Sequence, residues 1–241
     1  MQGLIGGFAS GDPSAIQRRG GDPFAALVAS LSPRVWIDAH DGTYLTLSGS
    51  DINSATDRSG SGNHAAQTGA ARPSYDAGAL GGRGGIVFAG TQYLETPSFS
   101  VPSGSTSGCC YWHPTATDSG AFGFAGFTSH ATLLAVSGGM FVLAPGATSE
   151  GAAVASLAVP HRVVWRTVAG GASRVIVDGV TAVGAGANTA IARSGTLKIG
   201  CSAPPAFYFA TGAIGELIFA DAEWSNAEMN AVDAAMAARW S

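Results

Sequence analysis

Ile86-Val-Phe-Ala-Gly-Thr-Gln-Tyr-Leu94, Arg174-Val-Ile-Val-Asp-Gly-Val180, Leu197-Lys-Ile-Gly200 and Thr211-Gly-Ala-Ile-Gly-Glu-Leu-Ile-Phe219 decide the fold. Each is a short apolar run with β-branched or aromatic residues, and each contains or ends on glycine. Such runs read as strands, and the glycines supply the positive φ that tight turns need. Working outward, strands are expected at 85–89, 92–96, 107–113, 121–128, 131–136, 139–144, 153–158, 161–168, 173–178, 196–201, 206–210 and 212–220. Val35-Trp-Ile37 opens this domain, and Tyr44, Leu45 and Leu47 make a further short strand. Turn signals about 8–12 residues apart point to a sandwich or a barrel. Helical patterns occur only at the two ends, so no parallel βαβ alternation is present.

Composition agrees. Of 241 residues, 12% are charged and 35 are glycine, which suits many turns and argues against a helical bundle. A hydrophobic content of 46% is enough to fill a core. The net charge is −4, Lys198 is the one lysine, and no basic cluster exists beyond Arg18-Arg19. A nucleic-acid footprint is therefore absent. No apolar run reaches the roughly 20 residues of a membrane helix. The N-terminus lacks the basic-then-apolar layout of a secretory signal. The expectation is a mature chain, or one that leaves its cell inside a virus particle.

The ends are legible as helices. Asp22 can cap a helix with Pro23 at its first position. Phe24, Leu27, Val28 and Leu31 then recur at helical spacing, and Ser32-Pro33 stops it. This stripe needs a partner surface, on its own sandwich or on a neighbour, and is the candidate assembly contact. Residues 1–21 read as an arm, so the chain divides into 1–33, for attachment or packing, and 34–241. At the other end, Ser225-Asn-Ala-Glu228 is a capping box, Trp224 and Met229 form a staple, and Met229, Val232, Met236 and Trp240 line one face of a helix over 225–240.

In this order the motifs resemble the concanavalin A-like, laminin-G-like jelly roll over residues 34–241. Val35-Trp-Ile-Asp-Ala39, Asp57-Arg-Ser-Gly-Ser-Gly-Asn-His64 and Ala71-Arg-Pro-Ser-Tyr75 look like its opening. Ile86–Leu94 looks like its "F-x-G-x-x-Y-L" strand pair, Arg174–Gly179 its "V-x-V-D-G" hairpin, and Gly212–Phe219 with Trp224–Trp240 its closing strand and helix. Trp112 matches the family's aromatic after the Tyr-Leu strands, whereas Trp165 is out of register with its "W-x-x-V" strand. The resemblance implies an all-β antiparallel jelly-roll sandwich with a short N-terminal helix and a C-terminal helix. Openings of this kind occur in tailed-phage virion proteins and bacterial surface proteins.

Chemistry is sparse. The carboxylate strand of jelly-roll glucanases, E-x-D-x-x-E, is not in the sequence. Asp221, Glu223 and Glu228 gather at a helix start, where carboxylates favour the N-terminus. His40, His64, His113, His130 and His161 lack ligand spacing. Asp57, Ser59 and Ser61 resemble the start of a calcium loop, but Thr68 stands where its glutamate belongs, and an Asx-type turn explains the same residues. Cys109, Cys110 and Cys201 form no disulfide framework, and the adjacent pair should point to opposite faces of a strand. Phe207, Tyr208 and Phe209 alternate between two faces, so at least one exposed ring is expected among these candidate glycan contacts, and Phe122, Phe124 and Phe127 are similar.

These readings predict a protein that is not an enzyme, with no cofactor and no bound metal. The expected function is a virion structural or display protein of a tailed phage, partnered by other virion proteins or by itself, and able to contact host glycans. The alternative is a carbohydrate-binding adhesion module on a bacterial surface. A glycoside hydrolase comes last.

Overall fold

The computed structural model describes residues 22–101, 105–116, 119–125, 132–136, 139–143, 150–153, 156–183, 193–201 and 209–241. Helix α1 is Pro23–Ser30. The strands follow as β1 Val35–Asp38, β2 Leu45–Ser48, β3 Asp51–Ala55, β4 Ala65–Ala66, β5 Ser74–Asp76, β6 Gly85–Ala89, β7 Leu94–Glu95, β8 Phe99–Val101 and β9 Thr106–Pro114. They continue as β10 Ser119–Ala125, β11 Thr132–Val136, β12 Gly139–Leu143, β13 Glu150–Ala153, β14 His161–Thr167, β15 Arg174–Val177, β16 Val180–Val183, β17 Arg193–Ile199 and β18 Thr211–Ala220. Helix α2, Asn226–Trp240, closes the chain.

Every strand pairing between described residues is antiparallel. One layer runs β1–β18–β9–β14–β15–β16. Its axis is β18, which holds β9 along one edge, and β6 then β1 along the other. The other layer runs β2–β3–β4–β7–β17–β10–β11–β12–β13, with β8 also on β17. Strand β5 joins the two by pairing with both β3 and β6. The molecule is an antiparallel jelly-roll sandwich with a helix at each end of the chain.

The first layer is covered on both faces. Val35, Ile37, Cys110, Trp112, Val163, Trp165, Leu217 and Phe219 point into the sandwich, against Ile52, Leu94, Leu197 and Ile199. Trp36, Cys109, Tyr111, Val164, Ile176 and Ile218 point the other way, under α1 and α2. That is why Val-Trp-Ile, Val-Val-Trp and Leu-Ile-Phe read as continuous apolar runs: no face is left for water. The adjacent cysteines split between the two cores as alternation requires. All three thiols are free and buried, and burial pushes the Cys201 thiol up to about 12. Gly108 has no substitute here, since a Cβ would stand 2.2 Å from the Ile218 carbonyl and 2.3 Å from the Trp165 ring.

Both caps form as expected. Asp22 Oδ1 accepts from the Phe24 N–H at 3.0 Å, ahead of Pro23. Ser225 Oγ accepts from the Glu228 N–H at 3.2 Å, and Glu228 returns a carboxylate oxygen to the Ser225 N–H at 2.6 Å. Asp178-Gly179, with φ of 50° and 86°, makes the β15–β16 turn, both residues left-handed as a two-residue hairpin of this twist demands.

The differences are local. The strand expected at 153–158 lies at Glu150–Ala153. Strands β3, β4, β5, β8 and β16 were not legible: most are two to four residues long, and Asp51-Ile-Asn-Ser-Ala55 is largely polar. Of the N-terminal stripe, Phe24, Val28 and Leu31 are buried against Trp36 and α2, with Leu27 packed beside them. The surface that these apolar atoms need is thus on their own chain. Helix α1 belongs to the same core as residues 34–241, and residues 1–21 lie outside the described part.

Candidate functional site

The structure gathers a group of carboxylates that sequence spacing does not reveal. Asp38 on β1 sits opposite Glu216 on β18 in the ladder. Glu216 is fully buried and Asp38 nearly so. Glu216 Oε1 accepts from the Trp36 indole N–H at 2.7 Å. Its Oε2 accepts from Arg239 Nε at 2.9 Å and from the Trp240 indole N–H at 3.1 Å. Arg239 also bonds Asp38 at 2.7 Å and Asp22, the α1 cap, at 2.8 Å. Arg58 completes the group by pairing with Asp38. One guanidinium therefore ties α1, β1, β18 and α2 together.

Burial, then the negative charge of Asp38, push the Glu216 carboxyl up to about 7, against the pull of Arg239 and the two indole N–H groups. A raised carboxyl in an enclosed site is a common mark of acid catalysis. Here both carboxylates spend their oxygens on fixed donors and neither opens on a cleft of substrate size, so their work is structural. At the start of α2, Glu228 caps the helix and Glu223 lies 3.9 Å from Arg166, as the helix-terminus reading expects.

The Asp57 loop is a closed turn. Asp57 accepts from the N–H groups of Trp36, Ser59 and Asn63, each at 2.9 Å, and from the Ser59 hydroxyl at 2.8 Å. Asn63 Nδ2 bonds the Arg34 carbonyl at 2.8 Å. Four donors saturate the carboxylate that a calcium ion would need.

His161 is clamped between two acceptors. Its Nδ1 lies 2.6 Å from Asp178 Oδ2 and its Nε2 lies 2.6 Å from the Ser156 carbonyl. Only the doubly protonated ring can donate to both. Arg162 approaches Asp178 at 3.7 Å and Asp233 of α2 at 3.3 Å, so the surrounding charges balance. The bond to Asp178 raises the histidine's pKa above 6.5 despite its burial. The same pair helps hold Asp178 below its ordinary value, although burial opposes this. A group raised in the folded state adds stability below its unfolded pKa and loses it as pH climbs through the folded one. Melting temperature should therefore fall as pH rises past 6.5, and His161→Gln should flatten that slope. A variant that keeps the wild-type slope would show the clamp to be silent.

The aromatics proposed as glycan contacts are not assembled by the described residues. Phe209 is half-buried and its backbone bridges Cys201, while Phe207, Tyr208 and Phe127 lie outside the described residues. Phe122 and Phe124 fall on β10.

A polar cleft is present instead. The end of α1 (Ala29, Ser32, Pro33), the start of β1 (Arg34, Trp36), the Asp57 loop (Arg58, Ser59, Ser61) and Asp221 enclose an open space of about 500 Å³. Arg58 lies over the rings of Trp36 and Tyr44, at 4.0 and 4.3 Å from their centroids, so those aromatic faces are already covered. Ser32 has a φ of 50°, a left-handed slot after a helix that usually holds glycine. No signal in the sequence marked this cleft, because its walls come from three separate segments, 29–36, 58–61 and Asp221.

No family model matches the sequence, and a comparison with curated proteins finds none that matches. Solved structures do match. An arabinofuranosidase complexed with arabinofuranosyl-α-1,2-xylobiose aligns with a TM-score of 0.65 at 13% identity, over 89% of this chain and 64% of that one. The binding domain of botulinum neurotoxin serotype D aligns at 0.59 and 10% identity, over 87% of this chain and 53% of that one. Domain 4 of AbnA, an extracellular arabinanase from Geobacillus stearothermophilus, in complex with arabinotriose, aligns at 0.58 and 15% identity, over 84% of this chain and 98% of that one. The chain spans about half to two thirds of the first two and nearly the whole of the third. At these identities the likeness is one of fold: the chain is similar to jelly-roll sandwiches found as domains of larger proteins.

Proposed function

We propose that this chain is a non-enzymatic binding and display module that contacts surface glycans, carried on the particle of a tailed phage. The observation that carries the reading is the use of the acidic residues. Asp38, Asp57 and Glu216, the buried carboxylates among the described residues, are each consumed by fixed donors. A glycosidase needs two carboxylates facing a substrate. What the described surface offers is a rigid sandwich with one helix-covered face and a polar cleft at its rim. The fold likeness to a whole domain solved with arabinotriose supports glycan contact. The phage setting rests on the opening Val35–Ala39 and the Asp57–His64 turn, and contact with other virion proteins or further copies of the chain falls to surfaces other than the buried α1 stripe.

The AbnA domain comes from an extracellular bacterial enzyme, which favours a second carrier for the same activity: a carbohydrate-binding adhesion module of a bacterial surface protein. A glycan array with the folded chain tests the shared part. Binding is expected to selected oligosaccharides, unchanged by chelator because Asp57 is saturated. A blank array with and without calcium would sink it. Cross-linking within intact phage particles then separates the carriers.

A further inference from the structure

We infer that the cleft between α1 and the Asp57 loop is a saccharide subsite, in which Arg34 donates paired N–H bonds to adjacent sugar hydroxyls and a hydroxyl oxygen of the facing loop accepts from them. The inference rests on the glycan-binding reading above and names its site. Arg34 is half-buried at the start of β1, held by its own backbone: its N–H donates to the Phe219 carbonyl at 2.8 Å, and its carbonyl accepts from Ser59 and Asn63. Its guanidinium makes no ion pair or hydrogen bond with the described residues. The neighbouring cation, Arg58, is already spent on Asp38 and on two rings. Among the described residues, Arg34 is therefore an anchored fork of donors with no fixed acceptor, and it lines the cleft.

The opposite wall supplies an acceptor. The Ser59 hydroxyl proton is directed to the Arg34 carbonyl and Asp57 and its oxygen accepts from the Ser61 N–H at 3.1 Å, while the Ser61 hydroxyl sits 3.4 Å from the Pro33 carbonyl, which leaves the Ser61 oxygen as the acceptor on the rim. A sugar hydroxyl both donates and accepts, and a vicinal pair matches a guanidinium edge, so donors beside acceptors fit a saccharide better than a purely apolar or purely anionic ligand. Stacking plays no part, because Arg58 covers Trp36 and Tyr44. Recognition is by hydrogen bonds, and affinity for one sugar unit should be modest.

The test uses the full chain on an array holding neutral oligosaccharides, arabinotriose among them, and acidic ones, sialyllactose among them. For the sugars that the wild type binds, Arg34→Ala should weaken binding about tenfold or more, the loss of charge-assisted hydrogen bonds. Its melting temperature should not change. Ser61→Ala serves as the second variant if Arg34→Ala folds poorly. If the wild type binds while both variants bind equally well, the cleft is the wrong site and the glycan reading stands. If the folded wild type binds nothing on either arm, both fall together.

Discussion

Trp240→Ala should destabilise the protein by about 3–5 kcal/mol, the usual cost of emptying a large buried aromatic site. The ring is 7% exposed. It stacks on Tyr111 with centroids 4.2 Å apart and meets His40 edge-on at 5.1 Å. Gly215 lies beneath it, where a Cβ would come within 2.2 Å of the indole. Its N–H is one of the three donors to Glu216, so the truncation also strips a bond from a buried carboxylate. Thermal unfolding of the variant checks this. An unchanged melting temperature would place α2 outside the cooperative core. Gly215→Ala probes the same contact from the strand side and should also lower the melting temperature.

Glu216→Ala should cost a similar amount, about 3–5 kcal/mol, because breaking a buried ion pair from one side strands the other charge. The Arg239 guanidinium would keep Asp38 and Asp22 but lose its Nε acceptor, and the indoles of Trp36 and Trp240 would lose theirs. Glu216→Gln should cost less, about 1–3 kcal/mol, since the amide keeps one acceptor but turns a donor toward another donor. The pH dependence separates charge from shape. Glu216 moves from 4.5 to about 7 on folding, so between those values the folded state binds the extra proton. Wild-type stability then falls as pH rises across that window, and both Glu216 variants should lose this component. His161→Gln removes only the loss that continues above 6.5. If Glu216→Ala unfolded no more easily than the wild type, the network would be incidental to the fold.

The sequence by itself determined the parts of this protein whose physics is local. Capping residues identified both helices, because a cap is a contact over two or three positions: Asp22 with Phe24, Ser225 with Glu228. Arg174–Gly179 marked a hairpin through its resemblance to the family motif, and the structure makes the turn with two left-handed residues in a row. Gly85–Ala89 and the long run closing at Ala220 were legible as strands, and their order carried the jelly roll. The Asp57 turn was legible too, being a set of bonds within one loop.

Tertiary structure alone decided the rest. The Phe24, Val28 and Leu31 stripe announces only that it needs cover; that α2 and Trp36 provide it depends on where the chain's two ends meet. The strands missed are those whose pairing, rather than composition, makes them strands, such as β4 between β3 and β7. Asp38, Glu216 and Arg239 lie in three distant segments, and so do the walls of the cleft around Arg34. An antiparallel sandwich places such segments side by side through hydrogen bonds that any residue but proline can donate. Side chains alone therefore leave no periodic trace of which strands will be neighbours. That is why the architecture could be read from the chain, while the buried charges and the walls of the cleft could not.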